Sequence, residues 1–318
     1  MKYFFLCRGG AVTGGPEAMH QLAAAAKKVG LDACLVYYPV GRAWEVPEVY
    51  REYDINTAER ADDSSESVIV ACETETGVLR KFKKATCCVW WLSVDNYYKS
   101  RSLIKARVRS FIDGYRSFSV NQMGAFWHLA QSEYARSHLK EIGFKNVMML
   151  SDYLNSKFFE PGSAVTKRKA VAYNPAKGRE YTMRLIEESR PDLEWVPIVG
   201  LSPDGVHQLL REVMVYVDFG GHPGKDRIPR EACMSGCCVI TGKKGSAGFS
   251  QDVPIRDEFK FDQDCPEFSQ LVLKKIYECV DEFDQKIEKF KGYQDLIRGQ
   301  QSLFEREVAE FGRVFKER

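Results

Sequence analysis

Residues 3–39 read YFFLCRGGAVTGGPEAMHQLAAAAKKVGLDACLVYYP, and this stretch decides the fold class. An apolar run, YFFLC (3–7), meets a glycine-rich stretch, RGGAVTGGPE (8–17). Met19, Leu22, Ala23, Ala26 and Val29 then recur at spacings of three and four, the period of a helix buried on one face. Gly30 stands where a helix-terminating glycine belongs, and ACLVYYP (33–39) is a second apolar run. Two strands joined by a helix must run parallel, since the connection crosses back over the sheet.

The pattern continues on both sides of a linker. Residues 41–66 are polar and irregular. VIVACET (68–74), CCVWWLSV (87–94), SFSVN (117–121) and AFWHLAQS (125–132) read as strands, and SEYARSHLKEIGF (132–144) as a helix between Ser132 and Gly143. VMML (147–150) closes the first half. A polar linker near 155–168 carries Pro161, Gly162 and Ser163. Beyond it KAVAYN, WVPIVG, VMVYVDF and CCVIT alternate with helical segments, of which IPREACMSG (228–236) is expected to begin at Pro229. We therefore expect two α/β domains, 1–160 and 161–318, each a doubly wound parallel sheet that binds ligands at its strand carboxyl ends. The tail from 266 is helical, with one apolar stripe at Ile276, Val280, Phe283, Ile287 and Phe290 and another at Phe304, Val308, Phe311 and Phe315.

Composition narrows the class. A chain of 318 residues with 44% apolar and 28% charged side chains is neither disordered nor a disulfide scaffold. Its net charge of +2 gives no global pointer to nucleic acid. No apolar run reaches the length of a membrane span, and MKYFFLCRGG reads as a first strand, not a signal peptide. The ten cysteines include no CxxC pair, which fits core thiols in a reducing cytoplasm.

Three loops carry candidate chemistry. In Arg8-Gly9-Gly10 to Gly14-Gly15, glycines allow close approach of a ligand to a helix N-terminus, or simply a tight turn. It is not a GxGxxG fingerprint. In Asn174-Pro175-Ala176-Lys177-Gly178-Arg179, two cations sit at a strand end, where a diphosphate would bind. The third loop, Asp218 to Ala232, crowds His222, Lys225, Arg227 and Glu231 beside three glycines. Glu231 is expected in the first turn of a helix, either to suit its dipole or to accept ribose hydroxyls. His222 is either a buried structural histidine or a phosphate contact.

Together these pieces produce a resemblance. GGPEAMHQLAAAAKKVGLDACLVYYP (14–39) resembles the opening of GT-B glycosyltransferases, HLAQSEYARSHLKEIGF (128–144) the end of their acceptor domain, and Pro175-Ala176-Lys177-Gly178 the turn that opens their donor domain. IPREACMSGCCVIT (228–241) resembles their nucleotide-holding stretch, in the retaining branch that builds bacterial surface polysaccharide and lipopolysaccharide. The resemblance implies two Rossmann-like domains facing across a cleft, with C-terminal helices. It implies a nucleotide-sugar donor as co-substrate, with no metal and no cofactor, and a glycan or lipid-linked glycan acceptor. Glu231 matches the ribose-binding second glutamate, Lys177 the diphosphate lysine, and Gly14 and Gly15 the donor loop. The family's first glutamate has no match in register, Asn174 replaces a basic residue that Arg179 could replace in function, and Asp95-Asn96 stands where the family has a histidine. Catalytic roles thus fall on Glu231, Lys177 and Asp95, and donor contacts also on Arg179, His222, Lys225 and Arg227. Glu17, His20, Glu73, Asp95 and Asn96 are candidates for positioning the acceptor.

Two alternatives stand beside this reading. His222-Pro223 is similar to the His-Pro pair of GT-B enzymes that use CMP-sugars, and the missing glutamate suits a non-catalytic binder of nucleotide or sugar. Asp262-Gln263-Asp264 has the DxD spacing of metal-dependent transferases but reads as a solvated acidic turn. Residues 80–110 hold nine lysines and arginines against the single acid Asp95, interleaved with aromatics. That is either a solvated face or a contact with anionic lipid at the inner face of the cytoplasmic membrane, and no nucleic-acid motif accompanies it.

Overall fold

A computed structural model describes residues 1–101, 116–159 and 165–317. The chain forms two compact units, Met1–Asp152 with Gln301–Arg318, and Tyr153–Gln300. Residues 301–318, assigned from sequence to the second domain, thus pack with the first.

The first unit holds seven parallel strands: β1 (Lys2–Arg8), β2 (Asp32–Tyr38), β3 (Thr57–Ala58), β4 (Ser67–Cys72), β5 (Thr86–Trp91), β6 (Trp127–Ala130) and β7 (Val147–Met149). Their order is β3-β2-β1-β4-β5-β6-β7, with Lys2 opposite Asp32 and Arg8 opposite Tyr38. Helices α1 (Gly14–Lys28), α2 (Val94–Ser100) and α3 (Glu133–Glu141) are its described α-helices before the tail. Residues 117–121 are not the strand expected from their alternation. Gln122 N–H bonds the Ser119 carbonyl (2.9 Å) while the Gln122 side chain accepts from Ser119 N–H (3.0 Å). That local exchange closes a short helical turn, Val120–Gln122, instead.

The second unit holds β8 (Arg168–Tyr173), β9 (Glu194–Pro197), β10 (Val213–Asp218), β11 (Cys238–Gly242) and a two-residue edge strand, β12 (Lys260–Phe261). All are parallel, in the order β12-β11-β10-β8-β9. Its helices are α4 (Arg179–Glu188), α5 (Pro203–Glu212), α6 (Arg227–Met234), α7 (Phe268–Asp281) and α8 (Phe283–Ile287), followed by α9 (Lys291–Lys316), which crosses into the first unit. Helix α6 begins at Arg227, two residues before the expected Pro229. A proline costs no hydrogen bond anywhere in a helix's first turn, so it does not mark the first residue there.

The second stripe of the tail explains why residues 301–318 join the first unit. Phe304 stacks on Trp90 with ring centroids 6.2 Å apart, Phe311 lies 5.6 Å from Tyr3, and Phe315 lies 5.2 Å from Trp127. Tyr3 also donates to the Gly312 carbonyl at 3.1 Å, and Glu307 accepts from both Ser151 N–H (2.7 Å) and Ser151 Oγ (2.6 Å). All ten cysteines are free thiols. Among the described residues no helix is long and apolar enough to cross a membrane.

Candidate active site

Strand order reverses at β8 in the second sheet: β9 lies on one side of it and β10 on the other. The loops leaving β8 and β10 diverge there, which opens the crevice where α/β sheets bind ligands. The β8 loop is Asn174–Gly178. Asn174 accepts from Ala176 N–H through its side chain and from Lys177 N–H through its carbonyl, both at 3.0 Å. Gly178 has φ +55°, and a Cβ there would lie 2.2 Å from the Phe219 carbonyl oxygen. Only glycine lets the Lys177 turn come this close to the exit of β10.

The β10 exit supplies the partners of Lys177. Asp218, the last residue of the strand, is buried and accepts from Tyr216 Oη (3.0 Å) and Gly220 N–H (2.9 Å). His222 follows in the left-handed region at φ +42°, held there by Ser246 N–H on its carbonyl at 2.9 Å. Its ring has no exposed surface. Nε2 faces the Asp218 carbonyl at 3.2 Å, and Nδ1 lies 3.0 Å from Asp226 Oδ2. Lys177 Nζ lies 2.7 Å from that same Asp226 oxygen and 4.0 Å from Asp218 Oδ2. Two carboxylates, one ammonium and one imidazole thus share a small buried volume.

The charges hold one another in place. Burial works against a charged Lys177, yet Asp226 and Asp218 outweigh it and raise its pKa above the ordinary value. Burial also opposes protonation of His222, and the same two carboxylates reverse that and raise it. For Asp226, burial pushes the carboxyl up while His222 and Lys177 pull it below its usual range. Asp218, His222 and Asp226 have ligand atoms within 4.8 Å of one another, a spacing that suits a metal ion. Lys177 is already the cation on Asp226, so a metal would compete with a charge the protein supplies itself.

Glu231 lies in the second turn of α6, not the first, and is 6% exposed. Arg227, one turn earlier, places Nε 3.2 Å from Glu231 Oε1. Two residues expected as donor contacts therefore pair with each other. Lys225 is half-buried on the loop and Arg179 exposed at the start of α4. Arg230, which the sequence reading passed over, is fully buried: it donates to the carbonyls of Asp226 (3.2 Å) and Lys225 (3.1 Å) and to Gln300 Oε1 (3.0 Å). It fixes the loop that carries Asp226. Asp218 and Asp226 were passed over too; an acid ending an apolar strand was the available signal.

In the first unit the corresponding reversal is at β1, between β2 and β4. Gly14 begins α1, with open space around it, and Gly15 lies beside it. Asp95, at the start of α2, accepts from Tyr134 Oη at 2.9 Å. Asn96 is exposed beside it. His20 is not a free acceptor-side group: it is buried, with Nδ1 2.6 Å from the Pro16 carbonyl and Nε2 2.7 Å from Tyr37 Oη. Glu73 is buried and accepts from Leu92 N–H at 3.0 Å, and Glu17 accepts from Tyr53 Oη at 3.3 Å. Arg8, at the end of β1, pairs instead with Glu75 after β4 at 3.1 Å. Of the basic segment 80–110, residues 102–110 lie outside the described residues.

No protein-family model and no curated protein matches the sequence. Solved structures do. HepE of Anabaena, solved in complex with UDP, matches at TM-score 0.69 and 13% identity over 98% of this chain and 99% of its own. Sucrose-phosphate synthase of Thermosynechococcus elongatus matches at 0.63 and 12% over 100% and 99%. WaaG, a glycosyltransferase involved in lipopolysaccharide biosynthesis, matches at 0.61 and 9% over 98% and 99%. With parallel sheets of seven and five strands, helices on both sides and a helical C-terminus, the chain has the two-domain GT-B fold of these glycosyltransferases.

Proposed function

We propose that the protein transfers a sugar from a nucleotide-sugar donor to a cell-surface glycan, with retention and without a metal, at the cytoplasmic face of the membrane. The observation that carries the reading is the Lys177–Asp226–His222 cluster, which sits at the strand-order reversal of the second sheet in a GT-B fold. HepE was solved with UDP and WaaG acts in lipopolysaccharide biosynthesis, which supports a nucleotide donor and a surface-glycan acceptor.

In the proposed reaction the bond from the sugar's anomeric carbon to the diphosphate breaks, and its electron pair stays on the phosphate oxygen. Lys177 is assigned to that growing charge, together with the N-terminal N–H groups of α4 and Arg179. The acceptor's hydroxyl oxygen bonds to the anomeric carbon on the face the phosphate leaves, and the leaving phosphate oxygen takes that hydroxyl's proton, so no protein nucleophile is required. Glu231 is assigned to the donor ribose, which would take the place of Arg227 on its carboxylate. Asp226 keeps Lys177 charged and oriented while the donor is absent. His222 faces carboxylates on both sides, so its role here is to hold Asp226, and donor choice between UDP, GDP, dTDP, ADP and CMP forms is left to measurement.

The test is turnover and binding across that donor panel, with and without a chelator. One base should bind, with chelator-insensitive turnover. Lys177→Ala should lower kcat about 100- to 1000-fold, the usual loss of one charge-stabilising donor. Glu231→Ala should weaken nucleotide binding with the fold intact. Absence of binding by every nucleotide would end the reading; binding without turnover would favour a non-catalytic binder.

A further inference from the structure

One feature of the first unit is left unused by the proposed chemistry: the Arg8-Gly9-Gly10 end of the glycine loop. Gly9 seats a side chain, not a ligand. A Cβ at Gly9 would lie 2.1 Å from Cδ2 of Trp44, so the indole lies flat against this backbone. Trp44 is tied again by Nε1–H on the Pro39 carbonyl at 3.0 Å. The ring is thereby fixed as one wall of a cavity of about 600 Å³ at the carboxyl end of β2, beside the edge strand β3.

The other walls differ in chemistry. Tyr37 lies at the base, its hydroxyl held by His20. Val40, 46% exposed, gives an apolar rim. Arg42 and Arg60 are both exposed at the mouth, against the single acid Glu59, and the Arg42 guanidinium lies 5.0 Å from the Trp44 ring centroid. The volume falls within the range of small-ligand sites. One face of the indole seats on Gly9 and Arg42 lies over the ring, so the ring's rim and Val40 are the apolar surface that meets a pyranose, and the guanidinium forks of Arg42 and Arg60 suit a carboxylate or phosphate.

We propose that this cavity binds a sugar residue bearing an anionic group, a uronic acid or a sugar phosphate. It deepens the transferase reading and rests on it only in naming this sugar as part of the acceptor; binding itself is read without turnover.

Saturation-transfer NMR on the full chain, with methyl glucuronide, glucose 6-phosphate and methyl glucoside at millimolar concentration, tests it. At least one anionic sugar should bind ten-fold or more tightly than the neutral glucoside, and the stronger of the two identifies the anion. Arg42→Gln with Arg60→Gln, both at exposed positions, should erase that preference while leaving nucleotide binding and the melting temperature unchanged. Trp44→Ala should abolish binding of both. Equal binding of the neutral glucoside, no binding of either anionic sugar, or full binding by the double variant would overturn the proposal. Loss of nucleotide binding by the wild-type protein would instead count against the transferase reading, leaving the sugar result to stand alone.

Discussion

The two sheets reverse strand order at equivalent steps, and each places an ion pair across the reversal. In the first, Arg8 at the end of β1 meets Glu75 after β4 at 3.1 Å. In the second, Lys177 after β8 meets Asp226 after β10 at 2.7 Å. What surrounds the pairs differs. Around Arg8 the neighbours are aromatic: its guanidinium lies 5.7 Å from the Tyr38 ring, and the adjoining glycines seat Trp44. Around Lys177 a second carboxylate and an imidazole, both fully buried, share the space. An ion pair set among aromatic rings can serve packing. Buried charges gathered at one strand end carry a desolvation cost that a structural role alone does not require. On the proposed reading the charge chemistry of bond breaking falls to the second unit, and recognition of the second sugar to the first.

The glycines give the largest contrast. Gly178→Ala would force an alanine to φ +55° with its Cβ 2.2 Å from the Phe219 carbonyl, so the Lys177 turn must move away from β10. We expect a loss of at least about 3 kcal/mol in denaturant unfolding of the second unit, among the larger single-residue effects. Gly14→Ala has nothing within 4 Å and starts a helix, so stability should change by less than about 1 kcal/mol. If Gly14→Ala leaves the fold intact but weakens nucleotide binding, the first unit's loop takes part in holding the donor. Equal stability losses at the two glycines would break the comparison.

Histidines titrate in opposite senses in the two units. In the first, His128 accepts from Trp91 Nε1 at 3.0 Å on Nδ1 and donates from Nε2 to the Met123 carbonyl. Burial, only partly opposed by that carbonyl, lowers its pKa to about 4, and burial lowers His20 as well. Below the ordinary histidine value of about 6.5 the unfolded chain takes up protons that these folded histidines refuse. Their contribution is therefore lost as pH falls, by about 3 kcal/mol for His128 at pH 4. His222 has the opposite sign. Its folded pKa is raised, so its contribution is complete below about 6.5 and is lost as pH rises through the folded value. Unfolding free energies measured from pH 4 to 9 should show His128→Gln flattening the acid limb and His222→Gln flattening the alkaline limb. A His222→Gln variant that keeps the full alkaline loss would show that the imidazole is neutral in the fold.

Most of the fold was legible because parallel α/β units write themselves locally, as apolar runs separated by helical periods. The misses arose where side chains answered to partners elsewhere. Ser119 and Gln122 closed a turn on each other in place of a strand, and Pro229 stood in a first turn without opening it. The tail's attachment to the first unit depended on Trp90, Tyr3 and Trp127, which lie far away in sequence. For the candidate site, Lys177 and His222 stood out by type and position. Asp226 did not, because its importance lies in two contacts made across the strand reversal. Arg230 was invisible for the same reason: its partners are two backbone carbonyls and Gln300.

The smallest expected effect concerns the acidic turn at the end of the second sheet. Asp262 and Asp264 are exposed, and Asp264 makes one solvent-facing pair with Lys244 at 3.4 Å. Between them Gln263 is buried, donating to the Phe219 carbonyl and accepting from Lys243 N–H, both at 3.2 Å. The middle residue of this DxD is thus the one that touches the loops at the candidate site. Replacing both aspartates by alanine should cost less than about 1 kcal/mol and leave turnover and its chelator response unchanged. Gln263→Ala strands a buried carbonyl and a backbone N–H, and should cost about 1–3 kcal/mol. It should also loosen the Phe219 turn against which Gly178 packs. If the aspartate pair lowers turnover and Gln263 does not, the acidic turn takes part in the reaction and the charge chemistry of the second unit extends beyond the β8–β10 reversal.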